Sequence, residues 1–439
     1  MSTGAGLKDR LHYKETFNCV QCGYCLPVCP TYETMKSEVH SPRGRINLVK
    51  MLAEDKIKAE DLREPIEKCL GCRACETACP TSVQYGKILE GAKEILEFAE
   101  QKSRAQKISE SLIFDQIFPS KRWMNTIGNL SWFYQKSGLQ KMAQRIGITQ
   151  LAPLHLGTFE SVLPDLPSPT ERKKRVQVYK AIGTRKITVG FITGCVMDAI
   201  FYETNRNTID LLTKAGADVL IPVNQTCCGA LHAHAGKIAD AKALAKRNIE
   251  AFEKEKADYI VNNAGGCGAT LLEYGELFKG DIEWESRAQA FSNKVRDISQ
   301  VLTELDGLSF TKQVNGTITF QPSCHMINVQ KVKDEPLSLL KQVKSKGYRE
   351  MNDKERCCGS AGIYNIVNYE DSMEILDCKM KNAKNTNASI IVTSNPGCLL
   401  QIKLGIQREG LEKIVRAVHL VDLLVEAGAV SKSTPYKSI

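Results

Sequence analysis

The sequence predicts a mixed fold: a largely helical, cysteine-bearing module followed by an α/β domain made of two similar lobes. Three observations lead there. The run Cys19–Pro30, CVQCGYCLPVCP, returns as Cys69–Pro80, CLGCRACETACP, and both copies read C-x2-C-x2-C-x3-C-P. From about Lys186 onward, apolar strand-like runs alternate with helical stretches, the grammar of a mostly parallel sheet covered by helices. That alternation occurs twice. Cys195, Cys227, Cys228 and Cys267 are matched by Cys324, Cys357, Cys358 and Cys398 at offsets of 129, 130, 130 and 131 residues, a near-constant period that marks an internal duplication. The expected units are residues 1–101, a helical bridge and linker over 102–185, a first lobe over 186–310 and a second over 311–439.

A chain of 439 residues with 43% apolar composition exceeds one ordinary domain and can bury several cores. Its 17 cysteines sit in tight clusters, unlike the dispersed cysteines of a short secreted disulfide scaffold. Clustering of that kind points to thiolate ligation of metal in a reducing compartment, the cytoplasm. The N-terminal stretch lacks the apolar core of a signal peptide. No apolar run approaches the ~18 residues that a membrane-spanning helix needs. The net charge of +9 is spread along the chain without a basic–aromatic motif, so nucleic acid is not an expected partner.

The repeated run has the spacing with which two-cluster bacterial ferredoxins hold a pair of [4Fe–4S] cubanes, and there the fourth cysteine of each run serves the other cluster. One ligand set is therefore Cys19, Cys22, Cys25 and Cys79, and the other is Cys69, Cys72, Cys75 and Cys29. Pro30 and Pro80 turn the chain away after the last ligand. A zinc site of the CxxC…CxxC kind would need two cysteines per run, not four. Between the runs, Ser41–Ile57 opens Ser-Pro-Arg and carries Ile46, Leu48, Val49, Met51 and Leu52, the pattern of a capped helix packed against the clusters. A second helix is expected over Lys87–Gln101.

The bridge has no cysteine. Its segment Leu112–Ile148 interleaves Phe114, Phe118, Trp123, Trp132, Phe133 and Tyr134 with Lys121, Arg122, Lys136, Lys141 and Arg145. Two readings are open: an interfacial surface touching a membrane or a partner subunit, or helices packed on the body with the basic residues as their solvated face. The second is the expectation. Leu163–Pro169, LPDLPSP, reads as an extended linker.

In the lobes, the strand-like runs KITVGFITGC, ADYIVNNAGGCG, ITFQPSC and ASIIVTSNPGC end at Cys195, Cys267, Cys324 and Cys398. Ligands of open α/β sheets gather beyond the carboxyl ends of strands. Each lobe thus gathers two strand-end cysteines and a Cys-Cys-Gly turn, four thiolates suited to an iron–sulfur cluster or a tetrahedrally bound metal. Gly229 and Gly359 let the backbone approach closely. Cys378, without a repeat partner, is expected to be core. His234 is expected to be structural, while His232 and His325 could equally be structural or serve a cluster by hydrogen bonding, proton donation or ligation.

CVQCGYCLPVCPTY, SPRGRI, CLGCRACETACPTSVQYG and the duplicated Cys-Cys-Gly lobes, with CCGALHAH in the first, resemble the iron–sulfur subunit of bacterial glycolate oxidase across essentially the whole chain. The resemblance implies a two-[4Fe–4S] ferredoxin-like domain, FAD on partner subunits, and delivery of electrons from glycolate oxidation to a quinone or other membrane acceptor. It also implies a peripheral place at the inner face of the cell membrane. No G-x-G-x-x-G dinucleotide fingerprint follows a strand here, consistent with flavin residing elsewhere. Lactate-utilisation and anaerobic glycerol-3-phosphate dehydrogenase iron–sulfur subunits and heterodisulfide reductase share these elements. They supply the alternatives: a complex oxidising another substrate, a quinone or disulfide reductase acting at the lobes, or lobes that only scaffold. One departure matters. The fuller superfamily pattern ends in CxxC, whereas Ala264-Gly265-Gly266-Cys267 and Asn395-Pro396-Gly397-Cys398 lack its first cysteine. That weakens the case for a five-thiolate cluster and leaves a cubane or another metal form in one or both lobes.

Overall fold

The helix expected between the two cysteine runs spans Pro42–Ala53. Ser41 Oγ accepts the Gly44 N–H at 3.0 Å, and Pro42 occupies the first turn, where a missing amide donor costs nothing. Its buried face, including Arg45, Ile46, Val49 and Leu52, packs with Leu62 and Ile66 of helix Ala59–Glu67 and with Ile88, Leu89 and Leu96 of helix Tyr85–Ala99. In this computed structural model residues 4–100, 102–147, 149 and 155–429 are described. Among them the cysteine module has no strand, so its likeness to ferredoxins lies in cysteine spacing.

Two sheets follow. The first contains β1 (Val178–Tyr179), β2 (Ile187–Phe191), β3 (Ala217–Leu220), β4 (Tyr259–Asn262) and β5 (Val295–Asp297), in the order β1-β3-β2-β4-β5. All its pairings are parallel except β1 with β3. β1 lies inside the stretch expected to be linker, so the first sheet begins at Val178, ahead of Lys186. The second sheet contains β6 (Ile318–Phe320), β7 (Ile390–Thr393) and β8 (Arg416–His419), parallel and in chain order. Where the first lobe has β3, the second keeps a single parallel bridge, Ile318 to Tyr348. The two sheets share one core: Val189, Phe191 and Val261 belong to the same apolar cluster as Phe320, Val392 and Leu420. Helix Tyr202–Ala215 of the first lobe packs against Leu420–Glu426 of the second.

The bridge is anchored at one point and open at another. Phe114, within the widened helical turn Ser111–Ile117, is buried; its ring meets His232 edge-on and its carbonyl bonds His232 Nε2 at 2.8 Å. Helix Lys121–Lys136 instead leaves Trp123, Ile127, Leu130 and Phe133 exposed, with Trp132 and Tyr134 half-buried. The expected packing on the body is thus partial: Phe114, Phe118, Trp132 and Tyr134 are at least half-buried, while Trp123 and Phe133 face outward. Residues 163–168 have no regular secondary structure, with Gln135 bonding Pro164 O and Leu166 N, and Pro169, expected at the linker's end, instead begins the helix Pro169–Lys173.

Candidate metal centres

The two cysteine runs interleave. One cavity is lined by Cys19, Cys22, Cys25, Cys75 and Cys79. A second is lined by Cys29, Cys69, Cys72 and Cys75. Cys79 thus lines the cavity of the first run and Cys29 that of the second, with Cys75 on the wall of both. Gly23 and Gly71 take left-handed conformations, φ +86° and +61°, within the loops that wrap these cavities. Each run ends Cys-Pro-Thr, and the threonine hydroxyl approaches the last sulfur in both, at 3.3 Å for Thr31–Cys29 and 3.4 Å for Thr81–Cys79. Cys69 Sγ receives hydrogen bonds from Tyr85 Oη at 3.3 Å and Gly71 N at 3.4 Å. Such donors to sulfur stabilise a ligating thiolate.

Burial pushes the thiols of Cys72 and Cys75 well up and that of Cys25 up to about 11. Cys79 moves the other way: burial opposes ionisation, but the Thr81 hydroxyl and the amides of Thr81, Ser82 and Val83 outweigh it. A thiolate must form to ligate metal, so these buried sets are costly to ionise without a cationic centre to compensate them. Five cysteines around one cavity and four around the other, with Cys75 on both walls, supply the soft sulfur donors that iron–sulfur clusters take.

Arg45 is the feature that the sequence did not announce. It is 1% exposed, with Nε donating to Pro65 O at 2.6 Å and Nη2 to Thr31 Oγ at 3.0 Å, and no carboxylate pairs with it among the described residues. Burial works against its charge, while Cys69, Tyr85 and Cys29 favour it strongly enough to raise its pKa. A charge on the apolar stripe of helix Pro42–Ala53 was the available signal.

Cys195, Cys267, Cys324 and Cys398 each lie just beyond the carboxyl end of a strand, β2, β4, β6 and β7, whereas the Cys227–Cys228 and Cys357–Cys358 pairs sit in loops. Cys195 Sγ lies 3.5 Å from Cys227 Sγ, and contacts continue to Cys228 and Cys267. In the second lobe Cys324, Cys357, Cys358 and Cys398 are linked in the same order. Thiol–thiol hydrogen bonding and burial together hold Cys195, Cys228, Cys324, Cys357 and Cys358 well above the ordinary thiol range. Gly359 has φ +91°, and a Cβ there would lie 2.7 Å from Ser372 O. The thiols run in chains: among the described residues no three His, Cys, Asp or Glu side chains are placed to hold a single metal ion.

The lobes differ electrically. Helix Ile238–Glu253 carries Asn248, bonded to Thr226 N, Cys227 O and Tyr274 Oη. One repeat of 131 residues later stands Lys379, 1% exposed, donating to the Asp353 and Lys354 carbonyls at 2.8 and 3.2 Å. Burial lowers its pKa to about 8, against the pull of Cys358 and Cys357.

The module docks on the second lobe through its own cysteine loop. Cys72 packs in one cluster with Cys357 and Cys324, and Asn328 Nδ2 donates to Cys72 O at 2.9 Å. His325 Nε2 is 3.0 Å from Gly71 O, which places it between the module and Cys324. His232 is structural, tied to Phe114. His234, expected to be structural, instead stands 5.6 Å from the His325 ring on the wall of a further cavity. Cys378 is half-buried near Glu33 and Arg356 and apart from the paired thiols, so it is not a core residue in the full sense.

Comparison with known proteins agrees in each region. Residues 15–83 match the 4Fe-4S dicluster domain, 189–272 and 318–403 the cysteine-rich domain, and 105–163 the linker region of the glycolate oxidase iron-sulfur subunit. A probable glycolate oxidase iron-sulfur subunit of Bacillus subtilis is 48% identical over 424 residues, 96% of each chain. The chain belongs to the glycolate oxidase iron–sulfur subunit family. A second relative, the glycolate oxidase iron-sulfur subunit of Escherichia coli, is 29% identical over 392 residues, covering 87% of this chain and 88% of its own. Lactate utilization protein A of Oceanobacillus iheyensis is 37% identical over 235 residues, which is 53% of this chain and 94% of that protein. No helix among the described residues is long and apolar enough to cross a membrane.

Proposed function

We propose that this chain is the electron-transfer subunit of a flavin-dependent complex that oxidises glycolate to glyoxylate. FAD resides on partner subunits, and electrons leave towards a quinone-type membrane acceptor. Two [4Fe–4S] clusters are held by Cys19, Cys22, Cys25 and Cys79 and by Cys29, Cys69, Cys72 and Cys75. The lobe sets Cys195, Cys227, Cys228, Cys267 and Cys324, Cys357, Cys358, Cys398 hold further metal, the second set foremost. When bound, such clusters pass electrons one at a time, which lets a flavin's electron pair be relayed singly.

The observation that carries this reading is the polarity of the module. Cys22 is exposed, and Phe17, Val20 and Tyr24 around it are 55%, 63% and 68% exposed, an apolar rim suited to a partner subunit. In the other set Cys29, Cys72 and Cys75 are buried and Cys69 half-buried, and the set touches the second lobe through Cys72. Electrons thus have an accessible entry and a protein-enclosed exit. The exposed Trp123, Ile127, Leu130 and Phe133 support a peripheral attachment to the membrane face.

The test is anaerobic reconstitution with the flavin subunits, followed by EPR. Glycolate should reduce the module's clusters only when those subunits are present, and the isolated chain should not oxidise it. Clusters that stay oxidised with glycolate but are reduced by lactate would reassign the complex to lactate.

A further inference from the structure

A cavity of about 350 Å³ lies where helix Tyr85–Ala99 of the module meets the lobes. Most charges around it are paired: Arg10 with Glu94, Arg73 with Glu76 and Glu273, and Lys87 with Glu276. Glu90 and Lys93 make no side-chain hydrogen bond or close ion pair among the described residues, although each lies in the other's field and Arg73 also favours the Glu90 carboxylate. Both lie deep, yet each keeps surface open to the cavity that it lines. A half-buried charge without a close counter-ion loses hydration that no neighbour fully replaces, so a polar ligand in the cavity would be favoured beside both groups.

The cavity also touches the redox part of the molecule. Gly71 lines it, lies between Cys69 and Cys72, and accepts the His325 bond, while His325 follows Cys324 of the second lobe. We propose that this cavity, walled by Leu89, Glu90, Lys93, His234, Leu277 and His325, binds and reduces a quinone-type acceptor. The proposal rests on the reading of the chain as an electron-transfer subunit and gives that subunit an exit site.

Size and chemistry both favour this ligand class. The volume suits one small ring system, and Leu89, Ile238 and Leu277 offer apolar wall. Lys93 and a protonated Glu90 can each donate a hydrogen bond to a carbonyl oxygen. Burial, with Glu273 adding to it, raises the Glu90 carboxyl to about 7, so both of its protonation states are within reach near neutrality. The reaction is Q + 2e⁻ + 2H⁺ → QH2. Each C=O becomes C–OH; the electrons come singly from the chain's reduced iron–sulfur centres, and the protons come from Glu90 and Lys93, which water at the cavity mouth reprotonates.

The test uses the full-length holoprotein and 2-methyl-1,4-naphthoquinone. Binding to the oxidised protein is measured by calorimetry, and reoxidation of the dithionite-reduced protein by stopped-flow absorbance. Lys93→Met should weaken binding about tenfold to a hundredfold, the worth of one charge-assisted hydrogen bond. Glu90→Gln should slow reoxidation at saturating quinone by about tenfold or more with little change in binding. Ferricyanide, which takes electrons without protons, should reoxidise both variants at the wild-type rate. Removing a charge without a close counter-ion should leave the fold intact, and iron content checks this. Wild-type quinone binding and rates in both variants overturn the site. So does a parallel loss with ferricyanide, or a wild-type protein that binds no quinone. In each of those cases, reduction of the clusters by glycolate through the flavin subunits would still stand or fall by itself.

Discussion

Replacing Arg45 by methionine is expected to lower the potential of the cluster at Cys29, Cys69, Cys72 and Cys75 by about 100 mV and to leave the other cluster unchanged. The magnitude follows from the contacts. Arg45 Nη2 is 3.0 Å from Thr31 Oγ, which is 3.3 Å from Cys29 Sγ, so the guanidinium lies within about 6 Å of that ligand. At an effective dielectric of about 20, one unit charge at roughly 6–8 Å is worth about 2–3 kcal/mol. With 59 mV equivalent to about 1.4 kcal/mol for a one-electron couple, that is about 90–120 mV. The sign is fixed because reduction adds negative charge beside a cation. Arg45→Met also strips donors from Pro65 O and Thr31 Oγ, at about 1–3 kcal/mol, partly offset by removing a buried charge. Arg45→Lys, which keeps the charge, should retain most of the potential. The assay is an anaerobic EPR redox titration in which the two clusters are followed separately, with iron content as control. A shift below about 20 mV, or an equal shift of both clusters, would refute the electrostatic argument.

Glu90 predicts a pH effect on stability. Its folded pKa, about 7, lies above the ordinary carboxyl value of 4.5, so its contribution is complete below the lower value and is lost as pH rises through the upper one. Glu90→Gln should flatten that dependence and gain up to about 3 kcal/mol at pH 8, read from denaturant melts at pH 5 and pH 8; equal slopes in both proteins would contradict it. Lys379→Met should cost the second lobe its metal centre, lowering iron per chain while the module's EPR signals persist, because Lys379 sets a buried positive charge beside Cys358 and Cys357. Retention of wild-type iron would dismiss that role. Trp123 and Leu130 are 48% and 64% exposed, so Trp123→Glu with Leu130→Glu should release the complex from lipid vesicles while shifting stability by less than about 1 kcal/mol; unchanged co-sedimentation would leave the face without a membrane role.

The elements that were legible in advance share one property, that local sequence decides them. The C-x2-C-x2-C-x3-C-P spacing sets how sulfurs can converge, Ser41-Pro42 starts a helix by capping chemistry, and apolar runs such as ITVGF and IIVT become strands β2 and β7. The duplicated period then gave the lobe cysteines their order. Shorter strands escaped notice because Val295–Asp297 and Arg416–His419 have too few apolar residues to show a period.

What tertiary structure decided is which faces are covered. Glu90 and Lys93 lie on a helix whose polar side would be solvated in isolation; the docking of the lobes places them deep in a cavity without close counter-ions. His234 acquires its neighbour His325 only because the first and second lobes meet there. The aromatic face of helix Lys121–Lys136 has ordinary core composition, yet Trp123, Ile127, Leu130 and Phe133 on it stay exposed. Sequence alone determined the thiolate chemistry and its spacing, because ligand geometry is encoded in a few residues of chain. Burial, and the charges it isolates, depends on residues tens to hundreds of positions apart, so only the assembled fold could show where Arg45, Lys379, Glu90 and Lys93 stand.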